Sequence, residues 1–279
     1  MSTLAVVAPF DLFGNAGTGA GAQLLADALR EMLADNRRER QPARCRAYER
    51  QLSLQEFEFE TLSDYQNYHR QARQIVKSAL KSDDFLLWLG GNHLSVLPVL
   101  EVLGGMTGAA VVQFDAHFDV YNLTGCTTKL SHGNFLLHAQ GPLSPIVHVG
   151  HRDLFLAAEH ISKHFRSVIS AQELATAPEK CVASLMKFAA KAKHIWIDID
   201  CDVFDPAFFP AVCEPLPFGI APAMFLRLLD AFWSPKVMGL SISEFKPARD
   251  VRDQSLAVLV WLIEYVLLKR YEKGKKNRR

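Results

Sequence analysis

Paired cysteines are missing from this chain. Its five cysteines (Cys45, Cys126, Cys181, Cys201 and Cys213) are odd in number, scattered and never in CxxC spacing. That pattern speaks against a disulfide framework and a cysteine-built zinc knuckle, and it fits a reducing cytoplasm. A charge excess is missing too. With a formal net charge of +1, no overall field favours nucleic acid or an anionic membrane as partner. The one locally basic stretch, residues 269–279, reads as a solvated tail. No apolar run is long enough to cross a bilayer. The most apolar late stretch, Leu256 to Leu268, is interrupted by Glu264 and falls short of the ~20 residues a membrane helix needs, so it reads as a core-packed C-terminal helix. The start, Met1 to Phe10, lacks a basic region and a cleavage-site pattern and reads as a first strand. There is no internal repeat or low-complexity linker, so residues 1–279 are expected to form a single domain.

Hydrophobic residues make up 49% of the chain and charged residues 22%, enough to bury a core. Short apolar runs recur at Leu4 to Pro9, Phe85 to Leu89, Ala109 to Phe114, Pro145 to Val149, His194 to Ile199 and Val237 to Ile242. Runs with so little alternation suit strands buried on both faces of a parallel sheet. Segments with helical spacing lie between them: Ala22 to Leu33, Tyr65 to Leu80, Leu97 to Leu103, Lys180 to Ala190 and Met224 to Phe232. The alternation predicts an α/β fold, a three-layer sandwich with a mostly parallel central sheet and helices on both faces. The Arg- and Glu-rich stretch Asp35 to Arg50 reads as a surface excursion.

The polar clusters fall where strands end. After Ala109 to Phe114 comes Asp115-Ala116-His117-Phe118-Asp119, two carboxylates and an imidazole on alternate positions. After Ile195 to Ile197 comes Asp198-Ile199-Asp200-Cys201-Asp202-Val203-Phe204-Asp205, four aspartates in eight residues. Such groups leaving apolar strands together repel one another or suffer desolvation unless a cation neutralises them. A calcium loop of the EF-hand kind does not fit, because its glycine and closing glutamate are absent. Trp88-Leu89-Gly90-Gly91-Asn92-His93 adds an imidazole after a sharp glycine turn. Oxygen-rich donors with one or two imidazoles suit manganese, and bridging carboxylates would hold two ions ~3.5 to 4 Å apart and activate a shared water. Weaker signals are Ser131-His132-Gly133-Asn134, Gly150-His151-Arg152-Asp153 and Ser243-Glu244-Phe245-Lys246-Pro247, each one ionisable group near a strand end. A different class is raised by Gly17-Thr18-Gly19-Ala20-Gly21-Ala22, which matches the GxGxxA of nucleotide-binding turns, although no acidic residue closes a second strand at the usual distance.

In these blocks the chain resembles the ureohydrolase family of arginases, agmatinases and formimidoylglutamases, whose GGDH, DAHxD and SxDxDxxDP motifs occur in this order. The resemblance runs from the first strand to the last helix. It implies an arginase-like fold and a cytoplasmic, homo-oligomeric (trimeric or hexameric) enzyme with a small-molecule substrate. It also implies two divalent ions, most readily manganese, held by His93, Asp115, His117, Asp119, Asp200 and Asp202, with Asp115 and Asp200 bridging. His132 is similar to the family's proton-shuttling histidine and Glu244 to the carboxylate that receives the guanidinium. Asp119 would accept a proton from the metal-bridging hydroxide that attacks a linear guanidino carbon. The alternatives are cleavage of N-formimino-L-glutamate and a catalytically silent, regulatory family member. The related single-zinc deacetylase architecture is disfavoured by Asp202 with His117.

Several positions depart from the pattern or lean toward one branch of the family. Asn92 stands for the aspartate of GGDH, so weaker support for His93 is expected. Asp198 stands for serine, which places it behind the ligands. Pro210-Ala211-Val212-Cys213-Glu214-Pro215, with Phe118, leans toward formimidoylglutamases, while Tyr121 leans toward agmatinases.

Overall fold

Ala5 and Val7 point to one side of the first strand and Val6 and Ala8 to the other, and all four are fully buried. That is the signature of a sheet covered on both faces. The structure, a computed structural model, describes residues 2–59 and 61–272. Its sheet contains β1 (Thr3–Ala8), β2 (Leu52–Glu56), β3 (Phe85–Gly90), β4 (Ala109–Phe114), β5 (Ile146–His151), β6 (Ser167–Ser170), β7 (His194–Asp200) and β8 (Val237–Ser243). The order is β2-β1-β3-β8-β7-β4-β5-β6, and every pairing is parallel.

On one face α1 (Gly19–Arg38), α5 (Ala171–Thr176), α6 (Pro178–Lys191), α7 (Pro222–Phe232) and α8 (Gln254–Tyr271) pack on Val112, Ile197 and Leu240. On the other, α2 (Leu62–Lys81), α3 (Leu97–Gly104) and α4 (Ala158–His164) pack on Leu86, Trp88, Val111 and Trp196. The three-layer sandwich is as expected, and α8 is the anticipated core-packed terminal helix. Among the described residues no helix is long and apolar enough to cross a membrane.

The edges differ from expectation. Strands β2 and β6 lie at the two ends of the sheet and are largely solvent-facing, so neither carries an apolar run. Helices α4 and α5, of seven and six residues, are under two turns long and carry no long periodic stripe. The stretch 35–50 is less of an excursion than its charge implies: α1 extends to Arg38, and Cys45 and Tyr48 are buried. Tyr48 can be buried because its hydroxyl donates to Glu264 Oε1 at 2.6 Å. Of the basic stretch 269–279, Lys269 to Tyr271 belong to α8, and residues 273–279 lie outside the described residues.

Chain order reverses direction between β3 and β4, which are separated in the sheet by β8 and β7. Crevices of parallel sheets open at the carboxyl ends beside such a switch. The loops leaving β3, β8, β7 and β4 therefore face one another.

Candidate active site

Strand β3 ends in Gly90-Gly91. A Cβ on Gly91 would lie 2.2 Å from the Phe10 carbonyl oxygen, and one on Gly90 2.1 Å from Ser95 Oγ. Only glycine allows the end of β1 and the turn after β3 to close this tightly. The closure buries His93 completely. Its Nδ1 faces Asp119 Oδ2 at 2.9 Å, Asp115 Oδ2 at 3.2 Å and Asp200 Oδ2 at 3.2 Å.

Beside this group, His117 Nδ1 lies 2.8 Å from Asp202 Oδ2. Backbone N–H groups turn the carboxylates inward: His117 N donates to Asp115 Oδ1 at 2.7 Å, Ala116 N to Asp202 Oδ1 at 3.1 Å, and Asp202 N to Asp200 Oδ1 at 2.9 Å. Donor atoms gather in two sets, His93 with Asp115, Asp119 and Asp200, and Asp115 with His117 and Asp202. Asp115 belongs to both.

Electrostatics show what this crowding costs. Burial, and then the charge of Asp119, push Asp115 up to about 7. Burial, with Asp202 and Asp115 close by, holds Asp200 well above the usual carboxylate range. Burial opposes charge on His117 also, but Asp202 outweighs it and raises the imidazole to about 10. Asp115 Oδ2 is buried without a hydrogen-bond partner.

An orphaned carboxylate oxygen at the junction of two oxygen-rich donor sets fits a pair of divalent cations. The 2.9 and 3.2 Å donor separations around His93 match neighbouring ligands of one ion with bonds of roughly 2.1 Å. A single-ion site would leave the second donor set unexplained.

Behind the donors, Asp198 is fully buried. The register of β4, β7 and β8 aligns Gln113, Asp198 and Ser241 in one row. Gln113 Nε2 donates to Asp198 Oδ2 at 3.0 Å, Ser241 Oγ donates to Oδ1 at 2.6 Å, and His93 Nε2 lies 3.0 Å from Oδ2. A carboxylate there keeps the proton of His93 on Nε2 and leaves Nδ1 as the donor. Asp198 thus stands on the far side of the His93 ring from the gathered carboxylates.

Asn92 turns out otherwise than expected. Its side chain does not support the His93 ring; Nδ2 donates to the carbonyls of Leu12 and Gly14, both at 2.8 Å. It anchors the β1–α1 loop, which an aspartate could not do.

Above the donors lies a cavity of about 310 Å³. Its lining brings together His117, Asp119, Asp200, Asp202, His132, Glu244 and Tyr121, while His93 and Asp115 lie fully buried beneath. Glu244 follows β8 and is 2% exposed. Its Oε1 accepts from His93 N at 2.8 Å and its Oε2 from Asn15 Nδ2 at 2.9 Å. Burial pushes Glu244 up to about 8. Asp119 and Glu244 both have positive φ, 51° and 66°, a backbone strain that non-glycine residues adopt mainly at functional sites.

A profile described as the arginase family matches residues 3–269. The chain belongs to the arginase family. It is 27% identical over 195 residues to the agmatinase of Proteus mirabilis, covering 68% of this chain and 61% of that protein's own length. The arginase from Bacillus subtilis superposes with a TM-score of 0.79 at 19% identity, covering 99% of this chain and all of that one. The formimidoylglutamase from Bacillus subtilis gives 0.76 at 19% identity, covering 98% and 87%. At such identities these structures establish the shared fold.

Other sequence signals take structural places in this arginase-family chain. Asp205 is a turn residue, accepting from Ala207 N and Gly219 N, both at 2.9 Å. Arg152 donates to the carbonyls of Asp202 (2.6 Å) and Val203 (3.0 Å) and fixes the turn carrying Asp202. Asp153 accepts from the Tyr121 hydroxyl. The glycine turn is no phosphate cradle. Asp11 Oδ2 already accepts from Gly17 N at 2.7 Å and Gly19 N at 3.2 Å, and a Cβ on Gly21 would lie 1.9 Å from the Phe245 carbonyl oxygen. The chain's own carboxylate fills the helix N-terminus, and the glycines serve close packing. Sequence reasoning missed Gln113, Ser241 and Asn15. The first two are ordinary strand residues whose meaning depends on register, and Asn15 reads as a loop polar residue.

Proposed function

We propose that the chain is a binuclear metal-dependent hydrolase of linear guanidines carrying an amine tail, as in agmatine. The observation that carries this reading is the adjoining of two donor sets at Asp115, beneath a cavity that also presents His132 and Glu244. The ions would be held by His93, Asp119 and Asp200 on one side and His117 and Asp202 on the other, with Asp115 shared. When bound, they would supply a water activated near neutral pH and favour its addition to the trigonal carbon.

The side chains divide the remaining work. Glu244, a buried carboxylate whose charge is held back by desolvation, gains most from a cation and receives the guanidinium. Asp119 takes the proton of the water as its oxygen bonds to carbon. The carbon–nitrogen bond to the tail then breaks, His132 gives a proton to the departing amine, and the proton held by Asp119 restores that of His132. Urea and a tail amine are the products.

Charge selects the tail. No lysine or arginine lines the cavity among the described residues, and Glu214 is an exposed carboxylate of the same wall. Two divalent ions balance Asp115, Asp119, Asp200 and Asp202, which leaves Glu244 and Glu214 to face a dication. N-formimino-L-glutamate would bring its carboxylates to a lining without lysine or arginine, so the formimino reading is the weaker one. The silent-member reading rested on Asn92 and on the altered 211–214 loop, and it loses the first of these grounds because Asn92 anchors a loop. Manganese, a cytoplasmic location and trimeric or hexameric assembly belong to the same proposal.

The test is turnover of manganese-loaded protein on agmatine, guanidinobutyrate, arginine and formiminoglutamate, with urea and formamide measured separately. Urea from agmatine in preference to the others is expected. Formamide from formiminoglutamate would overturn the substrate assignment, and two bound ions without turnover of any compound would favour a silent member.

A further inference from the structure

The loop 12–15 is held from several sides. Asn92 ties down the carbonyls of Leu12 and Gly14, the Thr18 hydroxyl donates to the Asn15 carbonyl at 2.8 Å, and His132 N donates to the Phe13 carbonyl at 3.2 Å. Gly14 has φ 130°, and a Cβ there would lie 1.9 Å from His132 Cδ2. The imidazole fills the space that a side chain at position 14 would take. Asn15 follows in the left-handed region, φ 52°, a conformation asparagine tolerates better than most residues.

This backbone places a single atom, Asn15 Nδ2, 2.9 Å from Glu244 Oε2 and 3.2 Å from His132 Nδ1. With two divalent cations in the donor sets beneath it, Glu244 is ionised, and an amide oxygen in that spot would oppose a carboxylate oxygen, so the amide turns its NH2 toward both. Nδ1 then meets an N–H donor and must accept, and neutral His132 carries its proton on Nε2.

We infer that Asn15 is a positioning residue that fixes the tautomer of His132 and ties its ring to the carboxylate receiving the cationic end of the substrate. Nε2–H is thereby the bond left to give a proton to a bound molecule, and Nε2, once bare, the atom that recovers one. Proton transfer and cation binding share one small amide, so neither His132 nor Glu244 can shift without disturbing the other. The link to turnover rests on the hydrolase reading above, but the tautomer needs only the bound ions.

The test uses the full chain with 15N-labelled histidine, loaded with zinc as a diamagnetic substitute for manganese. The His132 signals are assigned by their loss in His132→Gln. The wild-type ring is expected as the Nε2–H tautomer at neutral pH. In Asn15→Asp, a carboxylate that accepts from Nδ1 should move the proton there, and in Asn15→Gly, which keeps the left-handed backbone, the two tautomers should mix. Turnover should fall on the order of ten- to a hundred-fold in both variants, within the ~10²–10⁴ that a proton-transferring group supplies, with metal content and melting temperature near wild type. An Nδ1–H tautomer in the wild type, or the same tautomer in all three proteins, would overturn the inference. A wild type that cleaves no guanidine would sink the hydrolase reading alone, since the spectra still report on Asn15.

Discussion

The side-chain amide of Asn92 donates to the carbonyl oxygen of Gly14 across a 2.8 Å contact. A position that family spelling gives to an aspartate beside a metal ligand serves here as the clamp of a distant loop. Asn92→Asp, which restores that spelling, would set a carboxylate against two carbonyl oxygens. A loss of about 2 kcal/mol or more of stability is expected, read from the denaturant midpoint. A variant as stable as the parent would show that the clamp is not made in solution.

Asp198→Ser is the complementary exchange. Serine cannot reach His93, Gln113 and Ser241 together, so His93 loses the group that fixes its Nε2 proton. Calorimetric titration should show metal affinity falling by about 10- to 100-fold while the fold is kept, and unchanged affinity would remove Asp198 from any role in metal binding.

Replacement of the proton carriers separates holding ions from moving protons. Asp119→Asn should abolish turnover with the fold intact. His132→Ala should lower it by about 10²- to 10⁴-fold with both ions retained, measured by elemental analysis. Loss of an ion from the His132 variant would make that histidine a ligand.

Metal-free protein should have an unusual pH profile. Asp115 rises from an ordinary 3.8 to about 7 and Glu244 from 4.5 to about 8 on folding, chiefly through burial. Raised carboxylates favour the protonated fold, so their contribution is complete below the ordinary values and disappears as pH climbs through the folded ones. His117, raised from 6.5 to about 10 by Asp202 against the effect of burial, acts in the same direction. The melting temperature without metal should therefore drop between pH 5 and pH 8. Added divalent cation should restore it more at pH 8, where the carboxylates are ionised. A flat profile would mean the donors are not crowded as described.

Glu214→Gln tests the choice of tail. KM for an amine-tailed guanidine should rise about ten-fold, the ~1.4 kcal/mol of one lost charge contact, with kcat little altered and guanidinobutyrate unaffected. Equal effects on both compounds would place Glu214 outside the tail site.

The clusters that contain the six donor residues could be read from sequence because they stand at the ends of apolar strands, and strand ends in a parallel sheet converge; the choice of those six within the clusters came from the family resemblance. The same logic recovered six of the eight strands. It failed at β2 and β6, which lie at the sheet edges and need no apolar run. It also failed at Tyr48, whose burial depends on Glu264, 216 residues away. Asn15 was invisible for a related reason: the loop gives no sign that Gly14 adopts φ 130° to admit an imidazole from position 132. Motifs expose residues that bind directly, whereas residues that act through others need the fold.

The arrangement of β3, β8, β7 and β4 also has a kinetic side. His93 meets Asp198 across 105 residues and Glu244 across 151, and β8, between β3 and β7, is the last strand among the described residues. Contacts so remote in sequence form slowly and late. Until β8 docks, the carboxylates of β4 and β7 have no second wall and His93 no place among them. A growing chain emerging from the ribosome therefore carries scattered acids with little hold on a cation. On the proposed binuclear reading, ion capture would be a completion step, reserved for molecules whose β8 has already found its slot.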